Sequence, residues 1–220
     1  MTTVERFHRV RRVLERRQPD LTVVMENVHK PHNFSAVVRT CDAVGVLDAH
    51  AITPDGTLSV ADAVAMGTRR WMRVHTHASL YECFDPLRDD GFQILAAHPD
   101  ERAIDFRQAD YTRPTAILLG QEKDGVSAEA AARADGWIVV PMHGMVASLN
   151  VSVAAAIVLF EAERQRSAAG LYDRCRLDDE TYRTTLFEWA YPKLARKCRR
   201  EGVEYPALGE DGELLGEVPR

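Results

Sequence analysis

Pro141-Met142-His143-Gly144-Met145-Val146-Ala147-Ser148-Leu149-Asn150-Val151-Ser152-Val153 is the stretch on which the fold turns. It begins where the apolar run Trp137-Ile138-Val139-Val140 reads as a buried strand, and it ends where a long alanine-rich helix over 149–168 starts. Between them, glycine and methionine line the turns, and Ser148 and Asn150 offer polar groups at the helix mouth. A strand-to-helix turn leaves backbone amides free to hold a polar small molecule while apolar side chains cover it. Ligand chemistry is expected here.

Working outward, the chain alternates strands and helices. Strands are expected over 21–25, 49–53, 72–76, 93–97, 116–120 and 137–140. Helices are expected over 3–17, 33–44, 60–66 and 79–90, from Ser127, over 149–168, and as two shorter segments within 178–201. Gly45 stands where a helix C-terminal cap belongs, and residues 209–220 read as a loose acidic tail. Such alternation predicts an α/β parallel sheet covered by helices on both faces. The chain divides into a basic helical arm (1–20), a central domain (21–168) and a C-terminal helical extension with the tail (169–220).

Composition is that of a soluble globular protein, with 45% hydrophobic and 28% charged residues. No apolar run has membrane-spanning length and no signal-peptide core follows the charged start, so a cytoplasmic chain without a membrane partner is expected. Cys41, Cys83, Cys175 and Cys198 are scattered, with no CxxC pair and no His/Cys cluster at metal spacing, so reduced thiols and no metal are expected. The net charge of −5 hides a division. Residues 1–20 carry six arginines against three acids, and residues 161–200 carry ten basic against seven acidic side chains. Two basic arms flanking an acidic middle attract phosphates even when the net sign opposes it, although two solvated helices would have the same composition.

Parallel α/β sheets bind ligands at the C-terminal ends of their strands, and three such ends carry unusual loops: 26–33, 120–127 and the stretch quoted above. No GxGxxG follows the first strand, and no GxxxxGK[ST] is present, which argues against dinucleotide and P-loop chemistry. His29-Lys30-Pro31-His32-Asn33-Phe34-Ser35-Ala36-Val37-Val38-Arg39-Thr40, Leu118-Leu119-Gly120-Gln121-Glu122-Lys123-Asp124-Gly125-Val126-Ser127 and residues 141–154 resemble, in order, the three motifs of the SPOUT superfamily of RNA methyltransferases. Arg17-Gln18-Pro19-Asp20-Leu21-Thr22, Asp110-Tyr111-Thr112-Arg113-Pro114 and Phe160-Glu161-Ala162-Glu163-Arg164-Gln165-Arg166 are similar to its tRNA (guanosine-2′-O)-methyltransferase branch, the TrmH/SpoU type. The resemblance covers roughly residues 5 to 205.

The resemblance implies a deep C-terminal trefoil knot, a rare exception to unknotted topology. It implies a homodimer with active sites shared between subunits and S-adenosylmethionine as cofactor. It also implies methylation of the ribose 2′-hydroxyl of guanosine 18 in the tRNA D-loop. Carried onto this chain, the catalytic and substrate-positioning residues are Asn33, Arg39, Glu122, Ser148 and Asn150, and the cofactor loops fall on Ala97, Gly120, Val140, Met142 and Leu149. The RNA-binding candidates are Arg6, Arg9, Arg11, Arg12, Arg17 and His32, with Arg164, Arg166 and Arg174 from the second arm. His143, Ala147 and Ala97 depart from the family pattern, which bears on cofactor affinity. Methylation of ribosomal RNA or of another tRNA position is the alternative, as is a non-catalytic tRNA-binding protein on the same fold.

The residues also have ordinary readings. Asn33, Ser148 and Asn150 lie near helix starts and would serve as N-caps. Arg39 would be a surface ion-pair partner, Glu122 a loop carboxylate, and Arg164, Arg166 and Arg174 would complement the end of the long helix.

Overall fold

The computed structural model describes residues 3–53, 70–121 and 124–216. The expected helix over 60–66 and the candidate Glu122 lie outside the described residues. The chain forms two compact units, Gln18–Leu171 and Met1–Arg17 with Tyr172–Arg220.

The first unit is a parallel sheet. Its strands are β1 (Leu21–Glu26), β2 (Asp48–Ile52), β3 (Arg73–His77), β4 (Gln93–Ala97), β5 (Ile104–Asp105), β6 (Thr115–Leu119) and β7 (Gly136–Val139). They are ordered β3-β2-β1-β6-β4-β7-β5. Every residue of β1 and β6 is buried, because both faces of these central strands are covered. Period-two alternation assigns the faces. Leu21, Val23, Met25, Ile117 and Leu119 pack with α2 (Pro31–Ala43) and α5 (Val151–Ala168). Val24, Ala116, Leu118, Ile94 and Ala96 pack with α3 (Leu80–Asp89) and α4 (Ala128–Ala132). Ser79 and Ser127 cap α3 and α4 by accepting the Glu82 and Ala130 amides at 3.2 and 3.1 Å. Gly45 has φ 86, the left-handed geometry that ends α2.

The second unit joins the two basic arms. Helix α1 (Val4–Leu14) packs on α6 (Asp179–Ala190), which is followed by α7 (Pro192–Glu201). The tail differs from expectation: Ala207–Leu208 and Leu214–Leu215 pair as an antiparallel hairpin, β8 and β9. It is fastened by the Tyr191 hydroxyl donating to the Gly212 carbonyl at 2.6 Å and by His8 against Asp211 at 2.9 Å. Local acidity did not reveal this, because the partners come from α1 and the end of α6. No helix among the described residues is long and apolar enough to cross a membrane.

Two arginines expected on RNA are inside the protein. Arg166 is 0% exposed. Its guanidinium donates to the Gln18 side-chain oxygen at 3.0 Å, to the Tyr111 carbonyl at 2.8 Å and to the Asp20 carboxylate. Arg17 is likewise buried, its guanidinium 5.2 Å from the centroid of the Trp189 ring. Such side chains serve packing and are not available to grip phosphates.

Arg166→Ala would leave Asp20, Gln18 and the Tyr111 carbonyl without their shared donor. Removing one partner of a buried ion pair costs about 3–5 kcal/mol, so urea denaturation should show a lower midpoint at unchanged slope. A loss below about 1 kcal/mol, the scale of an exposed pair, would refute the buried-clamp role.

Candidate active site

Because β6, β4 and β7 are neighbours, the loops leaving their C-terminal ends converge. They enclose a cavity of ≈ 340 Å³, within the range of about 300–1,000 Å³ usual for small-molecule sites. All five expected cofactor positions, Ala97, Gly120, Val140, Met142 and Leu149, line it. Val151, Ala154 and Val158 of α5 complete a mostly apolar wall.

Gly120 is required by a close backbone approach. A Cβ built there would lie 2.0 Å from the Gly125 carbonyl carbon and 2.1 Å from the Val126 nitrogen. The loop closes by the Gly125 amide donating to the Gln121 carbonyl at 2.9 Å, with Gly125 at φ 71. Beyond it, the Ser127 amide donates to the buried Glu26 carboxylate at 2.8 Å, which ties this loop to the end of β1.

Asn150 unites the two readings open to it. As N-cap of α5, its Oδ1 accepts the Ser152 amide at 2.9 Å, while its Nδ2 donates to Asn33 Oδ1 at 3.2 Å. Asn33 is not a cap. Helix α2 starts earlier, at Pro31, with Lys30 as a cap lacking a side-chain bond, and Asn33 lies buried in the first turn. A proline preset for the first helical position decides that start. Ser148 is exposed and lines the cavity. Arg39 is exposed on α2 and is not among the residues lining the cavity of its own chain.

Sequence reasoning missed His98, Asp124 and Gly125, which also line the cavity. The His98 Nδ1 is buried and makes no hydrogen bond among the described residues, so it can serve a ligand. Its signal was its place immediately after a strand end. In the same loop, two hydrogen bonds from the Arg102 guanidinium and one from its amide hold the Asp100 carboxyl well below the usual carboxylate range.

Of the RNA candidates, Arg6, Arg9 and Arg12 are exposed on α1, and His32 is exposed in the first turn of α2. Arg11 bonds Glu15 at 3.1 Å, and Arg164 chelates Glu161 at 2.9 and 2.7 Å. Arg12 and Arg174, from opposite ends of the chain, line one polar hollow with Arg16, Glu15 and Asp173.

Residues 20–160 match the SpoU rRNA Methylase family, and residues 164–217 match the model described as SpoU, rRNA methylase, C-terminal. The tRNA (guanosine(18)-2'-O)-methyltransferase of Thermus thermophilus is 57% identical over 187 residues, spanning 85% of this chain and 96% of that protein. The solved A. aeolicus TrmH/SpoU tRNA modifying enzyme superposes with TM-score 0.79 at 42% identity, covering 86% of this chain and 97% of the other. The SpoU methyltransferase AviRb from Streptomyces viridochromogenes, solved in complex with the cofactor AdoMet, gives TM-score 0.60 at 26% identity over 70% of this chain and 59% of its own.

Asn150→Ala removes both the cap and the bond to Asn33. Loss of the cap alone costs about 1 kcal/mol, and urea denaturation should show at least that loss. No change in stability would mean that α5 does not depend on this cap.

Proposed function

The chain belongs to the SpoU rRNA methylase family, and we propose that it transfers the methyl group of S-adenosylmethionine to the ribose 2′-hydroxyl of guanosine 18 in tRNA. The observation that carries this reading is 57% identity, over nearly the whole length of a guanosine-18 tRNA methyltransferase. The cavity fits the cofactor. Its apolar walls suit an adenine and a methionine chain, and His98 Nδ1 with the loop amides supplies polar partners. A knotted course of the chain around this cavity belongs to the same reading.

When bound, S-adenosylmethionine supplies an electrophilic methyl on a positively charged sulfur. The ribose hydroxyl is a poor nucleophile near neutral pH, so the protein must align the attack and manage the charge on oxygen as its proton leaves. Arg39 is the residue we place at that oxygen. A guanidinium keeps its proton in proteins, so Arg39 acts by stabilising the developing alkoxide, as an oxyanion hole does. Asn33 and Asn150 position the ribose and the cofactor loop through their mutual hydrogen bond. Ser148 sits at the cavity wall, and Glu122, outside the described residues, keeps the catalytic role that the family resemblance implies for it. Exposed Arg6, Arg9, Arg12 and Arg174, with His32, contact RNA phosphates.

The active site is completed by a second copy of the chain. Two features support this: Arg39 does not line its own cavity, and apolar side chains are exposed around the same elements. Met145, Val146, Val153 and Phe160 are exposed by 102%, 60%, 46% and 52%, an arrangement that calls for cover. In a two-fold dimer, Arg39 of each copy enters the cavity of the other.

The activity test uses labelled S-adenosylmethionine with unmodified tRNA and ribosomal RNA, followed by mapping of the methylated nucleotide. Label at guanosine 18 is the expected result, and label confined to ribosomal RNA overturns the substrate.

Arg39→Ala should lower turnover by about two to three orders of magnitude, with tRNA and cofactor affinities nearly unchanged, because the lost contact belongs to the transition state. Arg39→Lys should be nearly as inactive, since a point charge lacks the guanidinium fork. A lysine variant that regains activity as pH rises toward 10 would replace charge stabilisation by base catalysis.

Ala154→Phe fills the cavity from α5, so this homodimer should be inactive, as should Arg39→Ala. Co-expressed, the heterodimer should regain up to half the wild-type activity, because one of its two sites has both an open cavity and an intact arginine. Verified heterodimers that stay inactive would place Arg39 in its own chain's site.

A further inference from the structure

The edge of the sheet farthest from β7 and β5 carries a second cluster of chemistry-bearing side chains. Strand pairing sets His50 beside His75 and Ile52 beside His77. Period-two alternation then brings Asp48, His50, His75 and His77 to one face of β2 and β3. His50 stacks on both neighbours, with ring centroids 5.1 Å from His75 and 5.2 Å from His77. His50 Nδ1 and His77 Nε2 share a hydrogen bond at 2.9 Å. Cys83, on the buried face of α3, faces this pair. One ligand atom from each of His50, His77 and Cys83 lies within 4.8 Å of the others.

We propose that His50, His77 and Cys83 form a binding site for one divalent cation of the zinc class, separate from the methyl-transfer site. Two imidazole nitrogens and a sulfur are the donor set that borderline-soft cations prefer, with a fourth tetrahedral position left for water. Zinc bonds of about 2.0–2.3 Å place tetrahedral ligands roughly 3.3–3.7 Å apart. The two imidazole nitrogens, 2.9 Å apart, must open slightly and the sulfur must close by at most about 1 Å, which side-chain rotation supplies once the cation replaces the hydrogen bond between the imidazoles.

The surroundings hold these ligands in place. The Asp48 carboxylate accepts from His75 Nε2 at 2.7 Å and pairs with Arg73 at 3.3 Å, fixing the ring that stacks on His50. The turn between His77 and Cys83 is locked by Glu82, whose carboxylate accepts the Ala78 amide at 2.9 Å while its backbone amide donates to the Ser79 hydroxyl oxygen at 3.2 Å. Burial, then His75 and His77, push the His50 imidazole down to about 4, so it is neutral and offers a lone pair at pH 7. Burial pushes the Cys83 thiol up to about 12. Binding therefore breaks the S–H bond, forms the sulfur–metal bond and releases one proton to solvent. The ion would tie β2 and β3, the last two strands at this edge, to α3.

The test is titration of chelator-treated protein with Co²⁺. Expected are one equivalent bound per chain, a near-ultraviolet thiolate-to-cobalt band with visible tetrahedral bands, and loss of both on adding Zn²⁺. Cys83→Ser should abolish the thiolate band, and His77→Gln should weaken Co²⁺ binding about tenfold or more. Far-UV circular dichroism confirms that each variant folds. Absence of the band in wild-type protein, or its survival in Cys83→Ser, overturns the site, the latter by assigning the ligand to Cys41, Cys175 or Cys198. Should Cys83→Ser fail to fold, unchanged affinity in His77→Gln overturns it alone.

Discussion

The guanidinium of Arg166 is the fixed point on which the sheet unit depends. It bonds Gln18 and Asp20 ahead of β1 and the Tyr111 carbonyl ahead of β6, while itself sitting on α5. Gln165 adds a second fastening, accepting from the Tyr111 amide at 3.1 Å and donating to the Ala109 carbonyl at 3.0 Å. Three segments distant in sequence are thus held at one place. A buried charge is costly unless its donors are satisfied, and here that cost makes the arrangement specific, because a displaced α5 would strand the arginine among uncompensated groups. The same helix presents Val151, Ala154 and Val158 to the cavity and Asn150 to Asn33, so the geometry of the site inherits its precision from this clamp.

At the other end of α5, the constraint is one of space. The backbone at Gly120 and Gly125 approaches so closely that no side chain fits at Gly120. That proximity lets the backbone of the 120–125 turn form one side of a cavity whose other walls are mostly apolar side chains. Glu26 anchors the far side of the loop to β1.

Charge follows a similar division. The net charge of −5 gives no hint of a polyanionic partner, yet α1 and the 172–201 region belong to one unit and bring Arg12 and Arg174 to one hollow. Not every arginine of these regions contributes. Arg17 and Arg166 were drawn inward by an aromatic ring and a carboxylate, and Arg11 and Arg164 are engaged by glutamates one helical turn away. A count of basic residues therefore overstates the surface available to phosphates.

The sequence by itself determined the parallel α/β class and most element boundaries, because apolar runs such as 21–25 and 116–119 and caps such as Ser79 and Ser127 are local signals. It also determined which loops matter, since the order of three motifs survives without coordinates. Tertiary structure alone decided what each polar side chain does. Asn33 looked like a cap and is a buried partner of Asn150; Arg166 looked like a phosphate ligand and is a core clamp. His98 acquired its place only when β6, β4 and β7 became neighbours, and His50, His77 and Cys83 met only through strand register and helix packing. The physical reason is common to all of them: a polar group's role is set by the partners that burial leaves within about 3 Å, and those partners come from residues far away in the chain.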